Sequence, residues 1–150
     1  MDTIAVLDPQ AKAAVWAVQG PWRAQHDAQF LENGHLLIFD NLGSPRGSRV
    51  LEYDPQTCAF PWSYPLSNMA GFLTKERGMC QRLPNGNTLI VDPDNRRLLE
   101  VTPDKELVWE SVLSPVVSQS ATSPPHAING ARRYRADELT FLKDVTRARP

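Results

Sequence analysis

The segments AQFLENGHLLIFD, residues 28–40, and CQRLPNGNTLIVD, residues 80–92, decide the fold of this chain. Gln, Leu, Asn-Gly, Leu-Ile and Asp recur in both segments in the same register. The stretches that follow also match, with SRVLEYDPQT beginning at Ser48 and RRLLEVTPDK at Arg96. Because self-similarity at a fixed distance is the signature of repeat architectures, we expect both copies to form the same supersecondary unit.

A third, partial copy lies near the start of the sequence, where IAVLDPQAKAAVW, residues 4–16, matches VLEYDPQTCAFPW, residues 50–62. Each copy ends in a tryptophan, and Trp16, Trp62 and Trp109 are spaced 46 and 47 residues apart. A period of about 40 to 50 residues built from short strands is typical of β-propeller blades. The recurrence of the tryptophans predicts that they pack one blade on another.

Turn residues divide each copy into four strands. Asn33-Gly34 and Asn85-Gly86 are expected to supply the positive φ angles of hairpin turns, and Pro55 and Pro103 mark a second turn. In the first complete copy we predict strands at residues 27–31, 35–40, 49–53 and 60–64. The run LLIF, residues 36–39, is apolar on both faces, which is expected for a strand between neighbouring sheets.

The repeats predict an all-β fold, a partial β-propeller of about two and a half four-stranded antiparallel blades. The count includes the strand pair at the start and one opening strand at residues 127–134. We assign residues 1–135 to the propeller domain and residues 136–150 to a C-terminal tail or short helix. Stable propellers usually close with four to eight blades. We therefore expect the chain to resemble the C-terminal part of a larger propeller and to self-associate through open blade edges.

Composition excludes several classes of partner. Sixteen Lys and Arg against 17 Asp and Glu give a net charge of -1, and the scattered basic residues argue against nucleic acid. No run approaches the roughly 20 apolar residues of a membrane span, and the start of the sequence does not read as a signal peptide. Cys58 and Cys80 lack metal-ligand spacing and nucleophile neighbours, so we expect no metal, no cofactor and inert thiols.

The repeated words resemble the C-terminal blades of the bacterial arylsulfotransferase family. The similarity runs through QHDAQFLENGHLLIFDN, SRVLEYDPQT and QRLPNGNTLIVDPDNRRLLEVTPDKELVWE, and INGARRYRADEL is similar to a family C-terminus. The resemblance implies a six-bladed propeller that moves a sulfuryl group from a phenolic sulfate ester to a phenol without a nucleotide donor. Its members are often periplasmic or secreted. It also implies a transiently sulfated histidine, assisted by further histidines and an arginine.

The histidine of the QHDA motif in that family corresponds to His26. A neutral imidazole is a competent nucleophile near neutral pH, although a lone histidine at a strand start is more often structural. An arginine suits the sulfate oxygens, and Arg23 is near in sequence. Asp27 cannot orient the ring from the same strand, because adjacent side chains point to opposite faces. The partner that orients His26 must therefore come from elsewhere.

Three further side chains complete the sequence-based hypothesis. Trp22, outside the tryptophan period, is a candidate wall for the aryl group, and His126 is a candidate substrate-binding residue in a loop. His35 stands where the other blade has Asn87, which favours a structural role beside the turn. The resemblance implies that the remaining active-site residues lie mostly in blades outside this chain.

Two other interpretations use the same sequence. Asp54, Thr57 and Trp62 fit part of the tryptophan-docking repeat of quinone-cofactor dehydrogenase propellers, although Cys58 stands where that repeat has glycine. The third interpretation is a catalytically silent propeller that serves binding or assembly. The quinoprotein repeat does not account for the QHDA motif, so we rank it below the sulfotransferase, while the missing blades keep the silent propeller open as a third class.

Overall fold

The computed structural model describes residues 2–65, 72–113 and 128–141. These residues form one two-stranded and two four-stranded antiparallel sheets, with no helix among them. Within each sheet, every strand pairs with the next strand along the chain. The strands are β1 (Thr3–Asp8), β2 (Ala13–Gln19), β3 (His26–Phe30), β4 (Leu36–Asp40), β5 (Arg49–Asp54), β6 (Ala59–Tyr64), β7 (Met79–Arg82), β8 (Thr88–Asp92), β9 (Arg97–Val101) and β10 (Leu107–Val112). The first sheet contains β1 and β2, the second contains β3 to β6, and the third contains β7 to β10. The all-β prediction and the four strands per complete copy are confirmed.

The hairpins form at the predicted places, but their turns differ in detail from the prediction. Gly34 and Gly86 have φ of 84° and 86°, whereas Asn33 and Asn85 are not among the residues with positive φ. Each asparagine instead accepts a hydrogen bond through its side-chain oxygen from the backbone two residues later, at 3.0 and 3.1 Å. The left-handed glycine follows an ordinary turn and closes the hairpin with a bulge.

The three sheets pack face to face along the chain. Strand β4 is buried at every residue, as its apolar sequence predicts. Its two faces belong to two different hydrophobic cores. The first core joins the two-stranded sheet to the second sheet and includes Ile4, Trp16, Val18, Trp22, Leu36, Ile38, Leu51 and Tyr53. The second core joins the second sheet to the third and includes Leu37, Phe39, Val50, Trp62, Tyr64, Phe72, Cys80, Ile90, Leu99 and Val101.

A recurring contact links the second sheet to the third and the third sheet to residues 128–134. Arg82 of β7 lies over the ring of Trp62, 5.1 Å from its centroid, and pairs with Glu52 at 2.6 Å. Arg133 repeats this arrangement, since it lies 5.4 Å from the Trp109 centroid and pairs with Glu100. A guanidinium above an indole and beside a carboxylate is held by both cation–π and ionic attraction. Residues 128–134 therefore stand against the third sheet as β7 stands against the second.

The strand predicted for residues 127–134 is wrong for residues 128–134, which carry no strand assignment. The backbone of Arg133 bonds to the side-chain amide of Gln81, donating at 2.8 Å and accepting at 3.0 Å. Among the described residues no strand pairs with this segment, so it forms no ladder. Residues 135–141 contain turns, and residues 142–150 of the predicted tail or short helix lie outside the described residues.

The Glu100 carboxylate gives the fold a predictable response to acid. Hydrogen bonds from Asn87 and then Arg133 lower the pKa of Glu100 from its usual value of 4.5. A carboxylate with a lowered folded-state pKa stabilises the protein above its unfolded pKa and loses that contribution as pH falls through the folded value. We expect the free energy of unfolding to decrease below about pH 4.5, and to decrease less steeply in Glu100→Gln.

Urea unfolding at a series of pH values measures this slope. Glu106→Gln is the matched control, because Glu106 is exposed and, among the described residues, only its backbone forms hydrogen bonds, donating to Thr102 Oγ1 and accepting from the Thr102 N–H. Equal slopes for the wild-type chain and Glu100→Gln would contradict the prediction.

Candidate functional site

His26 is the first residue of β3, and its side chain is exposed. Strand β3 lies at one edge of its sheet and contacts β7, the corresponding edge strand of the next sheet. The register of β3 with β4 shifts between His26 and Gln29, and Asp27 has φ of 49°. Such a bulge re-aims side chains near the end of a strand, and a non-glycine residue in the left-handed region carries strain.

The surroundings of His26 fix which ring nitrogen holds the proton. Its Nδ1 atom lies 2.9 Å from Asn41 Oδ1 and 3.0 Å from the carbonyl oxygen of Ala24. The Asn41 amide is oriented by its other half, because Nδ2 donates to the carbonyl oxygens of Thr74 and Arg77 at 2.8 and 2.7 Å. Both groups that face Nδ1 are therefore acceptors, so in the neutral ring Nδ1 carries the hydrogen and Nε2 keeps its lone pair.

Asp27 does not contact the ring of His26 but anchors a second polar group. Its carboxylate accepts from the backbone N–H of Cys80 and from Arg132 Nη2, both at 2.8 Å. Arg132 also donates through Nη1 to the carbonyl oxygen of Cys80 at 2.9 Å. The Arg132 guanidinium therefore links β3, β7 and the 128–134 segment. Its partner on β3 is Asp27, the residue next to His26. The expectation that the orienting partner of His26 lies elsewhere is confirmed, and that partner is Asn41.

The other predicted site residues have different places. Trp22 is 1% exposed, meets Tyr53 edge to face at 5.3 Å, and donates from Nε1 to the carbonyl oxygen of Asp2 at 3.0 Å. It is a core residue in this chain, so its indole faces cannot form an open wall for an aryl group. Arg23 is exposed, and its backbone N–H bonds to Asp40 at 2.9 Å. His126 lies outside the described residues.

Comparison with known proteins identifies the family. Residues 1–114 match the profile of the arylsulfotransferase (ASST) family. The chain belongs to the arylsulfotransferase family. The match agrees with the resemblance inferred from the repeated words and gives no support to the quinoprotein interpretation.

Curated proteins give no match. Among solved structures, the chain is similar to a protein of unknown function from Bacteroides caccae, with 17% sequence identity and a TM-score of 0.43. That similarity covers 70% of this chain and 37% of the solved one, so the chain spans well under half the length of that protein.

Two residues of the arylsulfotransferase chain near the candidate histidine were not predicted from sequence. Asn41 follows β4 in the fragment FDN and gives no local signal of its role. Arg132 could have been found from the repeat, because it occupies the position of Gln29 and Gln81 once residues 128–134 are aligned as another first strand. Because Arg132 and Asp27 are 105 residues apart in the sequence, their ion pair could not be recognised from it.

Two other reactive side chains of the described arylsulfotransferase residues, His35 and Cys80, have structural surroundings. His35 Nδ1 lies 2.8 Å from Glu52, which confirms its predicted structural role. Cys80 is 1% exposed, and burial raises the pKa of its thiol well above the usual value, so the thiol stays protonated and inert. Within residues 2–65, 72–113 and 128–141, no group of three metal-binding side chains lies together, and no helix could cross a membrane.

An open cleft of about 810 Å³ lies at the opposite end of the first strands from His26. It is lined by the two Asn-Gly hairpins, by Glu52 and Arg82, and by residues 133–135. Two of the arginines that line it are paired, since Arg82 bonds Glu52 and Arg133 bonds Glu100. The cleft and His26 are therefore separate features of the arylsulfotransferase chain.

Proposed function

We propose that this arylsulfotransferase chain takes part in sulfuryl transfer from a phenolic sulfate ester to a phenol, with His26 as the residue that is transiently sulfated. The observation that carries the proposal is the hydrogen bond that Nδ1–H donates to Oδ1 of the buried Asn41, at 2.9 Å. It leaves the exposed Nε2 atom with a free lone pair, which is the state a nucleophilic imidazole requires.

The reaction proceeds in two displacements at sulfur. In the first, Nε2 attacks the sulfur atom, the N–S bond forms, and the S–O bond to the aryl group breaks to release a phenolate, which takes a proton from solvent. In the second, the acceptor phenol loses its proton to solvent, its oxygen attacks sulfur, and the N–S bond breaks. His26 returns to its neutral form with the proton still on Nδ1. Covalent catalysis of this kind divides one difficult step into two easier ones.

Asn41 and Arg132 support this chemistry in different ways. During the first displacement the imidazole gains positive charge, and the Asn41 oxygen beside Nδ1–H stabilises that charge. Arg132 places a cation beside Asp27, the residue next to His26, where its positive charge attracts an anionic sulfuryl group. Because its Nη2 atom is held by Asp27 at 2.8 Å, the guanidinium is fixed before the substrate arrives. Arg23, exposed and near in sequence, remains a second proposed contact for the sulfate oxygens.

The test uses the 150-residue chain with para-nitrophenyl sulfate and no acceptor. We expect release of up to one equivalent of nitrophenolate and an intact mass raised by one SO₃ group, measured without acid treatment. His26→Ala is expected to remove both signals. His35→Ala is the matched control, because it removes a histidine held by Glu52 and is expected to leave both signals in place.

Adduct formation in His26→Ala would show that another group is sulfated. A failure of every variant to release nitrophenolate would overturn the proposal for this chain. Addition of a phenol to the isolated adduct tests the second displacement, and we expect it to restore the original mass.

A further inference from the structure

The bulge next to His26 distinguishes β3 from the matching first strand of the third sheet. In β3, His26 pairs with Phe39 and Gln29 with Leu37, so between these pairs two residues stand opposite one. Strand β7 pairs with β8 without a shift, and no residue of β7 has a positive φ. The bulge is therefore not part of the repeat but belongs to the strand that carries the candidate histidine. Bulges of this kind re-aim side chains beside functional sites.

The bulge also changes the position of His26 in its sheet. The Asn-Gly hairpins align Asp27, and not His26, with Met79 of β7. Met79 pairs with Val91, the residue that matches Phe39. Without the bulge, Asp27 would therefore pair with Phe39 in place of His26. A shift of one residue moves a side chain to the other face of a sheet, so the bulge decides which face carries the imidazole.

The carboxylate of Asp27 is held by groups on both sides of the bulge. Its Oδ2 atom accepts from the backbone N–H of Cys80 and its Oδ1 atom from Arg132 Nη2, both at 2.8 Å. Gln29 Nε2 donates to Oδ2 at 3.3 Å. The φ of 49° at Asp27 lies in the left-handed region, which aspartate and asparagine tolerate better than most residues. Such a conformation persists only where its surroundings hold it, and these three donors do so here.

We propose that Asp27 is a positioning residue of this arylsulfotransferase chain, which acts on His26 through the backbone and not through a contact with the ring. The bonds from Cys80 and Arg132 hold the bulge, and the bulge turns the imidazole so that Nδ1 faces Asn41. Nε2 then keeps its lone pair for the sulfuryl donor. The effect on sulfuryl transfer rests on the proposed function, whereas the effect on the ring does not.

A purely electrostatic role of Asp27 predicts a different result from a positioning role. If the carboxylate only neutralised Arg132, its removal would strengthen the attraction of an anionic sulfate ester and lower the donor concentration needed for half-saturation. If the carboxylate positions His26, its removal slows the attack on sulfur even at saturating donor, because the reacting nitrogen is misplaced. The rate at saturation therefore separates the two roles.

Asp27→Ala tests the proposal, because alanine removes the carboxylate and disfavours the left-handed backbone. With para-nitrophenyl sulfate and no acceptor, we expect the first-turnover rate at saturating donor to fall by about 10²-fold. Nitrogen-15 NMR of the His26 ring is expected to change from the proton on Nδ1 to a mixture of both tautomers. Asp27→Asn is expected to recover most of the wild-type rate and spectrum, because asparagine tolerates the left-handed region and keeps one acceptor oxygen.

Asp137→Ala is the matched control, since Asp137 is an exposed aspartate that also pairs with an arginine, Arg135, at 2.8 Å. We expect it to keep the wild-type rate and spectrum. Asp27→Gly provides a second variant if Asp27→Ala loses its β-rich circular dichroism spectrum, because glycine enters the left-handed region without strain but has no carboxylate. It is also expected to show a mixture of tautomers and a slower first turnover.

A wild-type nitrogen-15 spectrum in the variants that lack the carboxylate would overturn the inference, whatever their rates. An altered spectrum with an unchanged rate at saturation would show that the reaction does not need this ring orientation and would overturn it too. If the wild-type chain forms no sulfated adduct, the proposed function fails, and the spectra of wild type and Asp27→Ala still decide whether Asp27 positions the ring.

Discussion

Phe39→Ala is expected to lower the free energy of unfolding by about 3 to 5 kcal/mol, the range for removing a fully buried aromatic side chain. Phe39 is 0% exposed and lies in the core between the second and third sheets, with its ring 5.8 Å from that of Phe72. The ring also fills the space beside Gly78, where a Cβ atom would collide with it. Because sheets on both sides are held in place by hydrogen-bonded ladders, we expect the resulting cavity to collapse only in part.

Urea unfolding at one fixed protein concentration measures this effect and avoids a contribution from assembly. Phe30→Ala is the matched control, because Phe30 is a phenylalanine in the preceding strand that is 55% exposed. We expect the control to cost less than about 1 kcal/mol, in line with the smaller apolar area it buries. Similar losses for the two variants would show that Phe39 does not hold the sheets together.

The fold could be predicted from the sequence because its determinants are local and repeated. Asn-Gly pairs, apolar runs and regularly spaced tryptophans each act within a few residues, and two copies in register confirm one another. The 128–134 segment could not be predicted as it occurs, because a strand also requires a paired neighbour, and none of the described residues pairs with this segment. A strand-like sequence does not reveal whether a partner strand is present.

The candidate site could be predicted only in part. The QHDA motif singled out His26, but the groups that define its chemistry come from other parts of the chain. Asn41 follows β4, the strand paired with β3, and Arg132 belongs to the 128–134 segment, which packs against the third sheet. Trp22 was expected at the site because it is near in sequence, yet its indole is buried in the core. Proximity along a strand is a poor guide to shared surroundings, because consecutive side chains point in opposite directions.

Asn41→Ala is expected to change the protonation pattern of His26 and to slow its sulfation by about 10²-fold, the loss typical of a misplaced reacting group. The substitution removes the oxygen that accepts from Nδ1–H at 2.9 Å. The Ala24 carbonyl oxygen at 3.0 Å then becomes the one remaining partner of Nδ1 among those described. Free imidazole side chains favour the proton on Nε2, so part of the population shifts to the tautomer whose Nε2 has no lone pair for attack.

Nitrogen-15 NMR of the imidazole separates this positioning role from a general loss of structure, because the two tautomers have distinct shifts. We expect the wild-type chain to show Nδ1–H at His26 and Asn41→Ala to show a mixture. The loss of Nδ2 also removes a donor from the carbonyl oxygens of Thr74 and Arg77, of which the Thr74 oxygen still accepts from Ser48 Oγ at 3.0 Å. Asn87→Ala is the matched control, because Asn87 bonds Glu100 on the third sheet and has no part in orienting His26. A wild-type spectrum with the proton on Nε2 would overturn the assignment of Asn41 without any variant, since that tautomer is incompatible with two acceptors facing Nδ1.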